Sequence, residues 1–160
     1  MKLLYLKRWL TNGQCFRHCG TLSLYSGKNM KRKALFPAGV RTTADQIKLS
    51  PGIVSGNHIF LTGMTGSGPD GTMPENLDDQ FRQAFEKIAA VLREAGQDFG
   101  SIVEMTTYHV GLRDHFDRFC AVRSEYVLDP FPAWTAVEVA GLRREGAVVE
   151  IKVVAAIEAS

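Results

Sequence analysis

The chain has 160 residues, 45% of them apolar and 22% charged, which is the size and balance of one globular domain. No apolar run approaches the ~18 residues of a membrane-spanning helix. Three cysteines are too few for a disulfide framework, so the composition points to a soluble cytoplasmic protein with reduced thiols. The net charge of +2 hides an asymmetry: residues 1–44 carry nine Lys/Arg and no acid, leaving residues 45–160 with ten bases and seventeen acids. An acidic body lacks the basic face that nucleic-acid binding requires, so no nucleic-acid partner is expected.

Residues 1–29 show no sustained period of 3.6 or 2. Leu3-Leu4-Tyr5-Leu6 is shorter than the ~7–15 residues of a signal-peptide core. This stretch is read as a leader outside the fold, either upstream translation or a targeting-like segment, with the domain spanning 30–160. Cys15, His18 and Cys19 have no second ligand pair at structural-zinc spacing, and no metal site is expected.

Ile47 to Val54 reads as a first extended segment interrupted by Pro51-Gly52, and Gly56-Asn57 as a turn. His58 to Thr62 is a second strand ending at Gly63. Residues 65–74 form a Gly-rich loop without a phosphate-binding fingerprint. Asn76 is placed to cap a first helix, with Asp78 and Asp79 in its first turn and Gly96 as its stop. Phe81, Ala84, Phe85, Ile88, Val91 and Leu92 form its buried stripe, while Arg82, Glu86 and Lys87 fall on the opposite face.

Ile102 to Val110 is rich in β-branched and aromatic residues and reads as a strand. Asp114 is expected to cap a second helix with the stripe Phe116, Phe119, Cys120, Tyr126 and Val127. Arg123 lies on that stripe, seven residues after Phe116; it either snorkels from the edge or reaches a carboxylate or bound anion. Asp129-Pro130-Phe131-Pro132 ends the helix. Ala133 to Leu142 and Ala147 to Ile157 are the last two strands. In the final strand Ala147, Val149, Ile151, Val153, Ala155 and Ile157 form a wholly apolar face, expected against the helices. Val148, Glu150, Lys152, Val154 and Ala156 form a half-apolar face, expected against partner subunits. The order ββαβαββ gives a mixed sheet with two helices on one face, an α+β sandwich.

Gly56-Asn57-His58-Ile59-Phe60-Leu61-Thr62-Gly63 resembles the "G-(D/N)-x-(I/V)-(F/Y)-x-(S/T)-G" of the RidA/YjgF family, the reactive-intermediate deaminases, also called L-PSP endoribonuclease-like. Ala90 to Gly96, Ile102 to Thr107, Pro132 to Val139 and Val149 to Val153 resemble later segments of that family in the same order. The resemblance implies a chorismate-mutase-like fold, a homotrimer with clefts between subunits, and a site without metal or cofactor. Its catalytic members hydrolyse 2-enamines and 2-imines to 2-keto acids and ammonia, which makes a small 2-imino or 2-keto acid the implied ligand.

The family carboxylate falls on Glu150. The arginine that clamps the substrate carboxylate falls on Trp134, which cannot form that ion pair. A usual cysteine falls on Ala136, a cleft tyrosine near Leu49, and an asparagine of the second helix on Arg123. Gly63 closes the first motif at the cleft. The chain is therefore read as a branch lacking the clamp arginine, with Glu150 as the catalytic group and Arg123, Trp134, Gly63, Leu49 and Ala136 as ligand contacts. The alternatives are a non-catalytic trimer that binds a small ligand and, more weakly, an L-PSP-type endoribonuclease. His109 is read as either a base near neutral pH or a satisfied sheet residue, and Cys120 as an inert thiol on an apolar helix face.

Overall fold

A computed structural model describes residues 32–157. The expected leader boundary and the Cys15–His18–Cys19 cluster lie outside these residues. The elements run β1 (Lys33–Leu35), α1 (Arg41–Gln46), β2 (Gly52–Ser55), β3 (His58–Leu61), β4 (Met64–Thr65), α2 (Leu77–Arg93), a 3₁₀ turn (Phe99–Ser101), β5 (Ile102–His109), α3 (Leu112–Arg123), β6 (Ala133–Glu138) and β7 (Val149–Ala156).

One mixed sheet has the order β1-β2-β3-β7-β5-β6, with the short β4 paired to β7 beside this path. All pairings are antiparallel except β5 with β6, which is parallel. The crossover between those two strands is α3, the helical connection that parallel neighbours require. The long helices α2 and α3 cover one sheet face, as the apolar pattern of β7 predicts. Val149, Ile151, Val153 and Ala155 are buried there with Phe81, Phe85, Ile88 and Phe119. The other face presents His58, Phe60, Tyr108, Val137, Glu150, Lys152 and Val154, and Phe60 and Val137 are exposed on it.

Helix α2 forms as its sequence predicts. The Asn76 side chain accepts from the Asp78 N–H at 2.9 Å, and two acids occupy the first turn. At the other end Gly96 takes φ +68°, and the Gly96 and Gln97 amides return to Arg93 and Leu92 carbonyls, closing the helix.

Several boundaries differ from expectation. Ile47 is the C-cap of α1, and Lys48 turns the chain at φ +52°. The extended segment therefore begins only at Gly52. Helix α3 starts at Leu112 rather than after Asp114, because Gly111 adopts a left-handed conformation and Glu138 of β6 supplies the cap. Its two carboxylate oxygens accept from the Gly111 and Leu112 N–H groups at 2.9 and 2.6 Å. Tyr126 and Val127 follow the helix rather than lying on it. Strand β6 ends at Glu138, short of Leu142. A register shift between Ile102 and Glu104 turns both Ile102 and Met105 into the core despite their odd separation.

Candidate functional site

The singled-out residues fall into two groups. The first gathers where β3 turns into β4. Leu49 and Gly63 line one cleft of about 580 Å³. Glu150 lies on the adjacent strand, opposite Thr65 on one side and Tyr108 on the other. Its carboxylate packs directly over Gly63, so tightly that a Cβ at position 63 would collide with the Glu150 carboxylate. The absence of a side chain at 63 is what lets the carboxylate lie there.

The second group sits on the edge strand β6 under α3. Trp134 pairs with Met105 and faces the helices. Its indole N–H donates to Thr107 Oγ1 at 3.0 Å, and its ring stacks on Phe116 at 5.8 Å and 10°. The Arg123 guanidinium, at the last residue of α3, lies over the same ring, 4.2 Å from its centroid. This is a cation–π pair, worth ~0.5–2 kcal/mol as desolvation increases. Arg123 Nε is buried and has no hydrogen-bond partner. Burial holds the guanidinium below its usual pKa, with Cys120 acting weakly the other way. Ala136 lines a neighbouring groove with Leu112, Arg113, Phe116 and Asp117.

Within one subunit these groups stay apart. Trp134, Ala136 and Arg123 are on the helix-covered side, whereas Glu150 faces the open side. Strand β5 separates β6 from β7. Phe116 and Thr107 seat Trp134, and neither carries a functional signal in the sequence. Phe116 was visible only as a stripe position, and Thr107 as one face of a strand.

The histidine readings are corrected. His109 is fully buried, and neither ring nitrogen has a partner. Burial, with a smaller push from His115 against a pull from Glu138, lowers its pKa to about 4. It is therefore neither a base near neutral pH nor a satisfied sheet residue. His115 Nε2 lies 3.1 Å from the Val110 carbonyl oxygen. The Cys120 thiol is half-buried, and its pKa is raised mainly by burial. Among the described residues no cluster of three metal-ligating side chains occurs, and no helix is long and apolar enough to cross a membrane.

A sheet with helices on one face, a bare half-apolar face on the other, and a split set of cleft residues defines an α+β protein of the chorismate-mutase-like class. Residues 42–157 match the family described as Endoribonuclease L-PSP, and the chain belongs to this RidA/YjgF family. It is 36% identical over 129 residues to the RutC family protein YjgH of Escherichia coli, covering 80% of this chain and 97% of that protein. The solved YjgH structure superimposes with a TM-score of 0.74 over 81% of this chain and 98% of that one. The chain is also 31% identical over 99 residues to a protein of Bos taurus named 2-iminobutanoate/2-iminopropanoate deaminase, covering 61% of this chain and 71% of that one. RidA from an Antarctic Psychrobacter is similar at 28% identity and a TM-score of 0.64, over 78% of this chain and 94% of that one.

Proposed function

We propose that three copies of this chain associate, the β6 edge and the end of α3 of one subunit lying against the open sheet face of the next, and that each cleft so formed hydrolyses a small 2-imino acid to a 2-keto acid and ammonia. The observation that carries this reading is the guanidinium of Arg123 resting on Trp134. A cation is thus present beside the position where the family clamp is missing. Exposed Phe60 and Val137 on the open face support association, because large apolar side chains there gain by leaving water.

In this mechanism Arg123 of one subunit holds the substrate carboxylate, and the Trp134 ring holds Arg123 from behind. Leu49, Gly63 and Glu150 come from the neighbour. A substrate R–C(=NH)–COO⁻ takes up one water. Glu150 accepts a hydrogen bond from that water and directs its oxygen to the imine carbon, while the imine nitrogen takes protons. Collapse of the carbinolamine expels ammonia and leaves the ketone. Water, carbon and nitrogen balance with no other reactant.

Purified protein supplied with enzymatically generated 2-iminobutyrate tests this. Arg123→Ala is expected to lose ~2–4 kcal/mol of transition-state stabilisation, read from the fall in kcat/KM, the loss typical of one partner of a desolvated charge pair. Arg123→Lys recovers only part of it, since an ammonium cannot form the bidentate fork. A second reading, ligand binding without turnover, is favoured by Trp134 itself, whose indole N–H is already donated to Thr107. Saturable binding of 2-oxobutyrate without imine hydrolysis would select it.

A further inference from the structure

The cleft beside Gly63 holds a second set of groups that imine hydrolysis does not use. Lys87 was expected on the exposed face of α2, but it is half-buried. Its Nζ donates to the Thr65 carbonyl and to Ser67 Oγ, each at 2.9 Å. Both acceptors are on buried residues. An ammonium has three donors, and the third has no hydrogen-bond partner among the described residues.

Arg144 approaches from the turn before β7. One of its guanidinium nitrogens lies 3.5 Å from where a Cβ on Gly71 would stand, and Gly71 has φ +86°. Burial first, and then the charge of Arg144, lowers the pKa of Lys87; no carboxylate offsets them. Charged residues lining the cleft are Lys87, Arg143, Arg144 and Glu86, a net of two positive charges. Asp70, on the same loop, is occupied by the Thr72 N–H and hydroxyl. Neither Lys87, Arg143 nor Arg144 has an ion-pair partner among the described residues. The chain's own N-terminal residues cannot neutralise them, because positions 1–44 contain no acid.

Away from the cations the wall is apolar: Val40, Ile47, Leu49, Pro51 and Val91. Ile47 is 50% exposed and Val40 38%, so these two side chains face solvent at the rim, while Pro51 and Val91 are buried behind them. A volume of about 580 Å³ is that of an ordinary small-molecule site.

We propose that this cleft binds a phosphate monoester with an apolar body, its dianionic head held by Lys87, Arg144 and Arg143 and its body lying on the Val40–Ile47–Leu49 wall. Two net positive charges match a dianion better than a single carboxylate, and an arginine fork fits phosphate oxygens in pairs. The site goes beyond imine hydrolysis; the groups named for it all come from one subunit, and it shares Leu49 and Gly63 with the composite cleft.

Calorimetric titration of the full-length protein with phenyl phosphate tests it. Phenol supplies the body without charge, inorganic phosphate the head alone, and 3-phenylpropionate a single negative charge. Phenyl phosphate is expected to bind saturably, about tenfold or more tighter than each of the three, and to weaken with added salt. Lys87→Met and Arg144→Gln are each expected to weaken it by about tenfold or more. Arg144 is on a turn outside the core, so its variant keeps the test sharp if Lys87→Met fails to fold. Equal affinity for 3-phenylpropionate, no saturable binding, or unchanged affinity in Arg144→Gln would overturn the proposal. The titration reads no turnover, so its failure and the failure of imine hydrolysis are separate results.

Discussion

Acidification should destabilise this protein through His109. The imidazole is fully buried, unpartnered, and lowered from 6.5 to about 4. In the unfolded chain it protonates below about 6.5; in the fold it stays neutral until about 4. Between those values the unfolded state binds more protons, so stability falls as pH falls. The His109 contribution is fully present well above pH 6.5, and it adds no further loss once pH is well below 4. The whole window corresponds to about 3 kcal/mol at 1.36 kcal/mol per pKa unit. Of this, roughly 2–3 kcal/mol is lost by pH 4.5. His115 and Glu138 face the ring and act in opposite directions on it. His109→Leu removes the titration and both orphaned nitrogens while keeping the volume near that of the imidazole. Urea melts at pH 7.5 and 4.5, at one protein concentration because the proposed assembly would couple to stability, should show the wild type losing roughly 2–3 kcal/mol more than the variant. Identical acid losses in the two proteins would refute the assignment.

Other expectations follow from single contacts. Gly63→Ala keeps an ordinary backbone but drives a methyl into the Glu150 carboxylate; kcat/KM for imine hydrolysis should fall by about tenfold or more with the fold intact by circular dichroism. Glu138→Ala removes the acceptor for two amides at the start of α3. Its melting temperature should drop by a few degrees, with Glu138→Gln recovering part. Val154→Arg puts an unpaired charge on the open sheet face, and light scattering should report species smaller than a trimer.

Most of the fold was legible because its signals are local. The alternation in β7 assigns a core face without any tertiary knowledge, and Asn76 with Asp78, Asp79 and Gly96 marks both ends of α2. What was not legible depends on distance in the chain. The cap of α3 comes from Glu138, 26 and 27 residues beyond the amides it binds, so local sequence points to Asp114 in its place. Helix α1 has only six residues and no side-chain cap, too little pattern to separate from an extended segment. Lys87 follows helical period onto a polar face; only the return of residues 65–67 across α2 buries its amine. For the candidate site, the sequence pointed to Arg123 as an oddity on an apolar stripe. That its guanidinium rests on Trp134 requires the parallel pairing of β5 and β6, which brings that ring beneath the end of α3.

The central claim is that one cleft takes Arg123 from one subunit and Glu150 from the next. Mixing two inactive variants tests it directly. Arg123→Ala and Glu150→Gln proteins are co-refolded in equal amounts, and 2-iminobutyrate hydrolysis is compared with that of each variant alone. In randomly mixed trimers about one quarter of the clefts would carry both native groups, so activity should return to roughly a quarter of the wild-type value. If the mixture is no more active than the variants separately, while mass measurement shows that mixed trimers have formed, Arg123 and Glu150 do not share a cleft across the interface and the account is wrong.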